Sequence, residues 1–176
     1  MATDLKALIR DVPDFPKPGI VFKDLTPVIQ DAEGFNTAID RLAAWARPKQ
    51  PEIIVGIESR GFLFAAGLAR ELRLGLAIIR KKGKLPRRTV CVKAPNEYAV
   101  EHFEMHEDAI RPGERVLVID DLIATGQSSI SAVELVARLG GRPVGFGAVV
   151  ELTSLQGIGA IHQVHPDLEV FSLEKY

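Results

Sequence analysis

The chain has 176 residues, 47% of them hydrophobic and 26% charged, with a net charge of −1, which describes an ordinary globular protein long enough to bury a core in one domain. Near-neutrality lacks the basic excess of a general nucleic-acid binder, and a single cysteine, Cys91, excludes an intrachain disulfide and leaves no zinc-ligand spacing. The start, MATDLKALIRDVPDF, has no apolar leader core and no run reaches membrane-spanning length, so the expectation is a protein of the reducing cytoplasm, neither secreted nor membrane-embedded.

Residues 4–11 read as a short helix ended by Pro13, and DFPKPGIVFKDLTP as an ordered loop, because each Pro disfavours helix in its predecessor. From Asp31 to Arg47, Phe35, Ile39, Leu42 and Trp45 recur at helical intervals until Pro48 and Pro51 end the run. EIIVGI predicts a buried strand, GFLFAAGLARELRL a helix and GLAIIR the next strand. That alternation implies parallel βαβ units and an α/β fold, a mostly parallel sheet flanked by helices. Residues 81–111 break the rhythm with KKGKLPRR, TVCVK and YAVEHFEMH, an excursion read as a mobile antiparallel hairpin. RVLVID then predicts a strand, followed by a helix ending at Leu139 before Gly140 and Gly141 and by the strand PVGFGAVVEL.

Three polar stations fall at strand ends. In RVLVIDDLIATGQSS, Asp120 and Asp121 precede a small, hydroxyl-rich turn and a helix start. Ligands of open α/β sheets bind at that end, and free N–H groups at a helix N-terminus favour an anion. Paired acids accept bonds from vicinal hydroxyls while the backbone of Ala124 to Ser128 cradles a phosphate, so the implied ligand is a sugar phosphate. GIESRGF has the G-x-x-x-x-G spacing of a P-loop but lacks its Lys-Ser/Thr, and no G-x-G-x-x-G follows a strand. Arg60 there marks a second anion site. Arg80, Lys81, Lys82 and Lys84 form the third; a charge run alone is usually a solvated face, but beside two anion sites it suits a diphosphate.

With these residues in view, VLVIDDLIATG resembles the signature of the type I phosphoribosyltransferases. DFPKPGIVFKDLTP, GIESRGFLF, IRKKGKLP, EYAVEHFEMHEDAI, PGERVLVIDDLIATG and VVELTSLQG are similar, in that order, to its adenine-using branch. The resemblance implies one domain over residues 1–176, with a base-pocket segment at 1–35 and a flexible hood hairpin at 81–111. It implies Mg2+-dependent reaction of adenine with phosphoribosyl pyrophosphate, giving AMP and pyrophosphate, and a homodimer. It places Asp120 and Asp121 on the ribose hydroxyls, Ala124, Thr125, Gly126, Gln127 and Ser128 on the 5′-phosphate, and Arg60, Arg80, Lys81 and Lys84 toward pyrophosphate. Val21, Phe22 and Lys23 would line the base pocket, and Glu97 and Tyr98 would belong to the hood. Glu58 and Ser59 would join the substrate loop through a non-proline cis peptide, and the metal would be held mainly through the substrate.

The hood differs from the family's Tyr-x-Leu-Glu-Tyr-Gly, reading Ala94-Pro95-Asn96-Glu97-Tyr98-Ala99, and Gln127 replaces the second Gly of the phosphate turn as in xanthine-using relatives. Because Gln127 begins a helix, it is expected to keep right-handed angles with its side chain turned outward. His102, Glu104 and His106 would share one solvated strand face, Cys91 would be a buried strand residue, and Phe103 and Met105 would pack. The alternatives are a 6-oxopurine transferase and a non-catalytic regulator that senses phosphoribosyl pyrophosphate; the regulator would need a basic face that this charge balance does not supply.

Overall fold

The computed structural model describes residues 3–94 and 101–176. Asp4 caps a single helical turn, α1 (Leu5–Leu8). The chain then does not continue as helix: β1 (Arg10–Pro13) pairs antiparallel with β2 (Val21–Asp24). The expected helix over 4–11 and loop through 14–27 are thus a helical turn, a hairpin and α2 (Thr26–Gln30). Cross-strand pairing, which no local pattern reports, decides this. Pro13 sits at the ribbon end, where its missing N–H costs no ladder bond, and Asp14 accepts the Gly19 N–H at 2.7 Å to close the turn.

In α3 (Ala32–Ala46) the Asp31 side chain caps Gly34; of the expected stripe Ile39 and Leu42 are buried and Phe35 and Trp45 half-buried, and Ala38, Ala43 and Ala46 complete the buried face. The remaining strands are β3 (Ile53–Ile57), β4 (Gly75–Lys81), β5 (Thr89–Lys93), β6 (His102–His106), β7 (Arg115–Ile123), β8 (Arg142–Glu151) and β9 (Val170–Lys175). They make a sheet of order β5-β6-β4-β3-β7-β8-β9, parallel from β4 to β9 and antiparallel at the β5–β6 edge. The excursion after β4 therefore returns as an antiparallel pair that extends the main sheet.

Helices α4 (Gly61–Leu72), α5 (Gln127–Arg138) and α6 (Gly157–Val164) connect the parallel strands. Ile54, Leu117 and Ile119 face a core shared with α1 to α4, where Leu42, Phe64 and Leu68 are fully covered. Val55, Val116 and Val118 face the opposite core, with Leu135, Val136, Met105 and Ile161. Because both faces are covered, the central strands read as unbroken apolar runs rather than alternations. α6 and β9 lie beyond the last element that the sequence pattern predicts, and β9 adds a parallel edge to β8. No helix of the described residues is long and apolar enough to cross a membrane.

Candidate active site

The chain leaves β3 toward β4 on one side and later returns to β7 on the other, so the β3–β7 boundary is a topological switch point. Crevices form at the carboxyl ends of strands at such points. β7 runs past RVLVID through both carboxylates to Ile123, so Asp120 and Asp121 are held by the sheet rather than by a loop. Both are buried, and Asp120 Oδ1 accepts the Asp121 N–H at 2.8 Å. Burial first, and then the neighbouring Asp121 charge, push the Asp120 carboxyl well above the usual carboxylate range. Asp121 has its own counter-charge, with Arg60 Nε 2.5 Å from its Oδ2.

After β7, Gly126 takes φ +82° and α5 begins without a side-chain cap, which leaves donors of its first turn for a ligand. Gln127 has no positive φ, as its helical position requires. Its side chain is not turned outward, however: Oε1 is buried without a hydrogen-bond partner. The start of α5 is backed on one side by α6; a Cβ at Gly126 would lie 2.5 Å from the Gly157 carbonyl oxygen and 3.2 Å from Ile161.

At the end of β3 the Glu58–Ser59 peptide is cis, as expected. Glu58 is half-buried and accepts the Lys81 N–H at 2.9 Å, Arg80 Nε and Nη2 at 3.3 Å each, and Lys84 Nζ. Burial alone would raise its pKa, but the donors from Lys84, Lys81 and Arg80 outweigh it and hold the carboxyl at about 2. Gly61, the first residue of α4, lets this turn approach β7: a Cβ there would stand 2.6 Å from Asp120 Oδ1.

These ends enclose a cavity of about 630 Å³ lined by Glu58, Ser59, Arg60, Lys81, Lys84, Asp120, Asp121, Ala124, Thr125, Gly126 and Ser128. Arg80 stands behind it, on Glu58 and on the Lys84 carbonyl at 3.2 Å. Phe22 reaches its rim through Arg60, whose guanidinium lies 4.9 Å from the ring centroid. Lys23 points elsewhere, 2.5 Å from Asp11 and 4.1 Å from the Tyr176 ring centroid, and Val21 is exposed. Glu97 and Tyr98 lie outside the described residues, as do the departures Asn96 and Ala99, while Ala94, the third, is described and buried.

The lining also contains Glu101, Phe103, Ile57 and Leu122, which the sequence reading missed as site residues; Glu101 sits 2.6 Å from Lys81 Nζ. The solvated face expected for His102, Glu104 and His106 is overturned by Glu104, which is buried against the turn that follows β4. Phe103 and Met105 pack in the core as expected, whereas Cys91 is half-buried rather than buried. The cavity is thus charge-paired in a definite pattern: Arg60 with Asp121, Lys84 and Arg80 with Glu58, Lys81 with Glu101. Exposed lysine heads can turn from a carboxylate to an entering anion at small cost.

A strand-end acid pair, a helix N-terminus and two cation-bearing turns around one crevice define a phosphoribosyl transferase, and the family profile described as "Phosphoribosyl transferase domain" matches residues 28–176. An adenine phosphoribosyltransferase of a Synechococcus species is 46% identical, covering 98% of this chain and 99% of its own length. The crystal structure of adenine phosphoribosyltransferase from Rhodothermus marinus superposes with a TM-score of 0.91 at 44% identity, over 98% of this chain and 96% of that one. The Saccharomyces cerevisiae enzyme, complexed with adenine and an imino-altritol bisphosphate, gives 0.90 at 35% identity, over 97% and 96%. The chain belongs to the adenine phosphoribosyltransferase family.

Proposed function

We infer that this chain transfers the 5-phosphoribosyl group from phosphoribosyl pyrophosphate to adenine, giving AMP and pyrophosphate, and so salvages a free purine base. The observation that carries this reading is the convergence of the Asp120–Asp121 pair, the uncapped start of α5 and the Arg60, Lys81 and Lys84 cations on one cavity. Departure of pyrophosphate leaves positive charge on the ribose. The reaction therefore needs anions near the sugar, cations on the leaving group and exclusion of water.

In this reading the backbone of Ala124 to Ser128 holds the 5′-phosphate, with Gln127 contributing its N–H alone. Asp120 and Asp121 accept hydrogen bonds from the ribose hydroxyls, and Asp121 places its charge beside the developing cation. Arg60, Lys81 and Lys84 take the diphosphate, while Arg80 acts from behind through Glu58. Glu58 and Ser59 shape the diphosphate-side wall. Val21, Phe22 and Lys23 line the base side through their backbone groups and the Phe22 ring, within the segment 1–35, and Glu97 and Tyr98 close over it as part of a hood at 81–111.

The acid pair supplies hard oxygen donors that suit Mg2+, and among the described residues no group of three His, Cys, Asp or Glu converges on a metal position. Mg2+ keeps waters and substrate phosphates as ligands, so it would enter on the diphosphate and help neutralise the leaving charge. We also propose that the protein works as a homodimer in the cytoplasm; Phe15, Ile20 and Val21 around the β1–β2 turn are exposed apolar residues available to a second copy.

The test is initial-rate measurement with adenine, hypoxanthine, guanine and xanthine, each with and without Mg2+. Mg2+-dependent AMP formation with a clear preference for adenine is expected. Preferential use of hypoxanthine or xanthine would overturn the base assignment in favour of a 6-oxopurine transferase. Binding of phosphoribosyl pyrophosphate with no turnover of any base would point to a sensor.

A further inference from the structure

Lys84 reaches the cavity from a short turn after β4, and that turn is built around a carboxylate. Three consecutive backbone N–H groups, those of Gly83, Lys84 and Leu85, donate to Glu104 Oε1 at 2.9, 3.1 and 3.1 Å. The Thr89 hydroxyl lies 3.2 Å from Oε2. Successive N–H groups turned to one side form a concavity that binds an anion; here the protein fills it with its own side chain. Glu104 is 4% exposed and stands on β6 opposite Arg80 of β4, just before the turn. Burying a carboxylate is costly unless donors surround it, so the arrangement holds only in the turn conformation that presents all three donors.

The same turn is gripped from the other side. Glu58 accepts the Lys81 N–H at 2.9 Å and the Lys84 ammonium, and the Lys84 carbonyl accepts from Arg80 at 3.2 Å. Two carboxylates thus divide the labour: Glu58 accepts from cationic heads on the cavity side, while the buried Glu104 accepts from the backbone of the turn and from the Thr89 hydroxyl and does not line the cavity. We propose that Glu104 is a positioning residue for the diphosphate side of the site, folding the Gly83–Leu85 backbone so that Lys84 is presented to substrate. The proposal rests on the transferase reading above for the identity of the bound diphosphate. Its chemistry requires only that an anion bind beside Lys84.

The experiment compares Glu104→Gln and Glu104→Ala with the wild type by calorimetric Kd for phosphoribosyl pyrophosphate, by separate KM values for it and for the purine, by kcat and by Tm. Glu107→Gln removes the same charge from an exposed position nearby and serves as control. The amide keeps the shape but offers the three donors a neutral acceptor, so affinity should weaken about threefold to tenfold, and the alanine variant about tenfold or more. The purine KM and kcat should stay within about twofold, because the base side and the acid pair are untouched, and Glu107→Gln should match wild type.

Unchanged affinity in a folded Glu104→Gln or Glu104→Ala protein would overturn the proposal. So would parallel changes in both KM values and kcat that simply follow Tm, the mark of a merely structural residue. If the alanine variant does not fold, the glutamine variant decides alone. A wild type inert with every purine would sink the transferase reading, while the calorimetric comparison would still decide the role of Glu104.

Discussion

Replacing Gly126 by alanine perturbs two things at once, and another glycine of the chain separates them. At φ +82° an alanine in the left-handed region costs about 1–2 kcal/mol. Its Cβ would also stand 2.5 Å from the Gly157 carbonyl oxygen and 3.2 Å from the carbonyl carbon, which are backbone atoms of α6 and cannot swing away. Overpacking of that kind adds about 1–3 kcal/mol, giving about 2–5 kcal/mol in total. Gly113 has φ +80° with nothing within 4 Å of the added Cβ, so Gly113→Ala should show the backbone strain alone.

For a chain of this size each kcal/mol lowers Tm by roughly 2–4 °C, so Gly126→Ala should melt roughly 4–20 °C below wild type and Gly113→Ala roughly 2–8 °C. Denaturant titration of both variants checks the difference, and phosphoribosyl pyrophosphate affinity should fall only for Gly126→Ala. Equal destabilisation of the two would refute the claim that α6 sets the position of the phosphate turn.

Asp121→Asn should lower kcat by about 100-fold or more with the fold retained, because it removes the anion beside the developing ribose cation; near-native turnover in a folded variant would take Asp121 out of the site. Glu58 is held at about 2 against its usual 4.5, so its contribution to stability is fully present above pH 4.5 and is lost as pH falls from there toward 2. Glu58→Gln should flatten that limb of the stability profile, and an unchanged limb would show that the carboxylate is not paired in solution. Gln127→Ala should raise stability by about 1 kcal/mol, since it removes a buried amide oxygen with no partner and improves helix propensity. A loss of stability on denaturant titration would mean that the oxygen is satisfied in solution.

The β3, α4, β4, β7, α5 and β8 elements were legible because each carries its own signal: an unbroken apolar run where both sheet faces are covered, then a helical stripe. Asp120, Asp121, Arg60, Lys81 and Lys84 could be found because a parallel sheet brings strand ends together, so adjacency follows from the order of elements. The N-terminal hairpin was not legible. Its bonds run between β1 and β2, and a Pro-rich stretch carries no periodicity that reports a partner 8 to 14 residues away. The same limit hid α6 pressing on Gly126, the buried amide of Gln127 and the burial of Glu104. Residue type and local spacing determined which chemistry the chain carries and at which strand ends it sits. Only the tertiary structure decided which carboxylate neutralises which cation, and which one shapes backbone instead of facing the cavity, because burial and pairing depend on atoms brought close from distant parts of the chain.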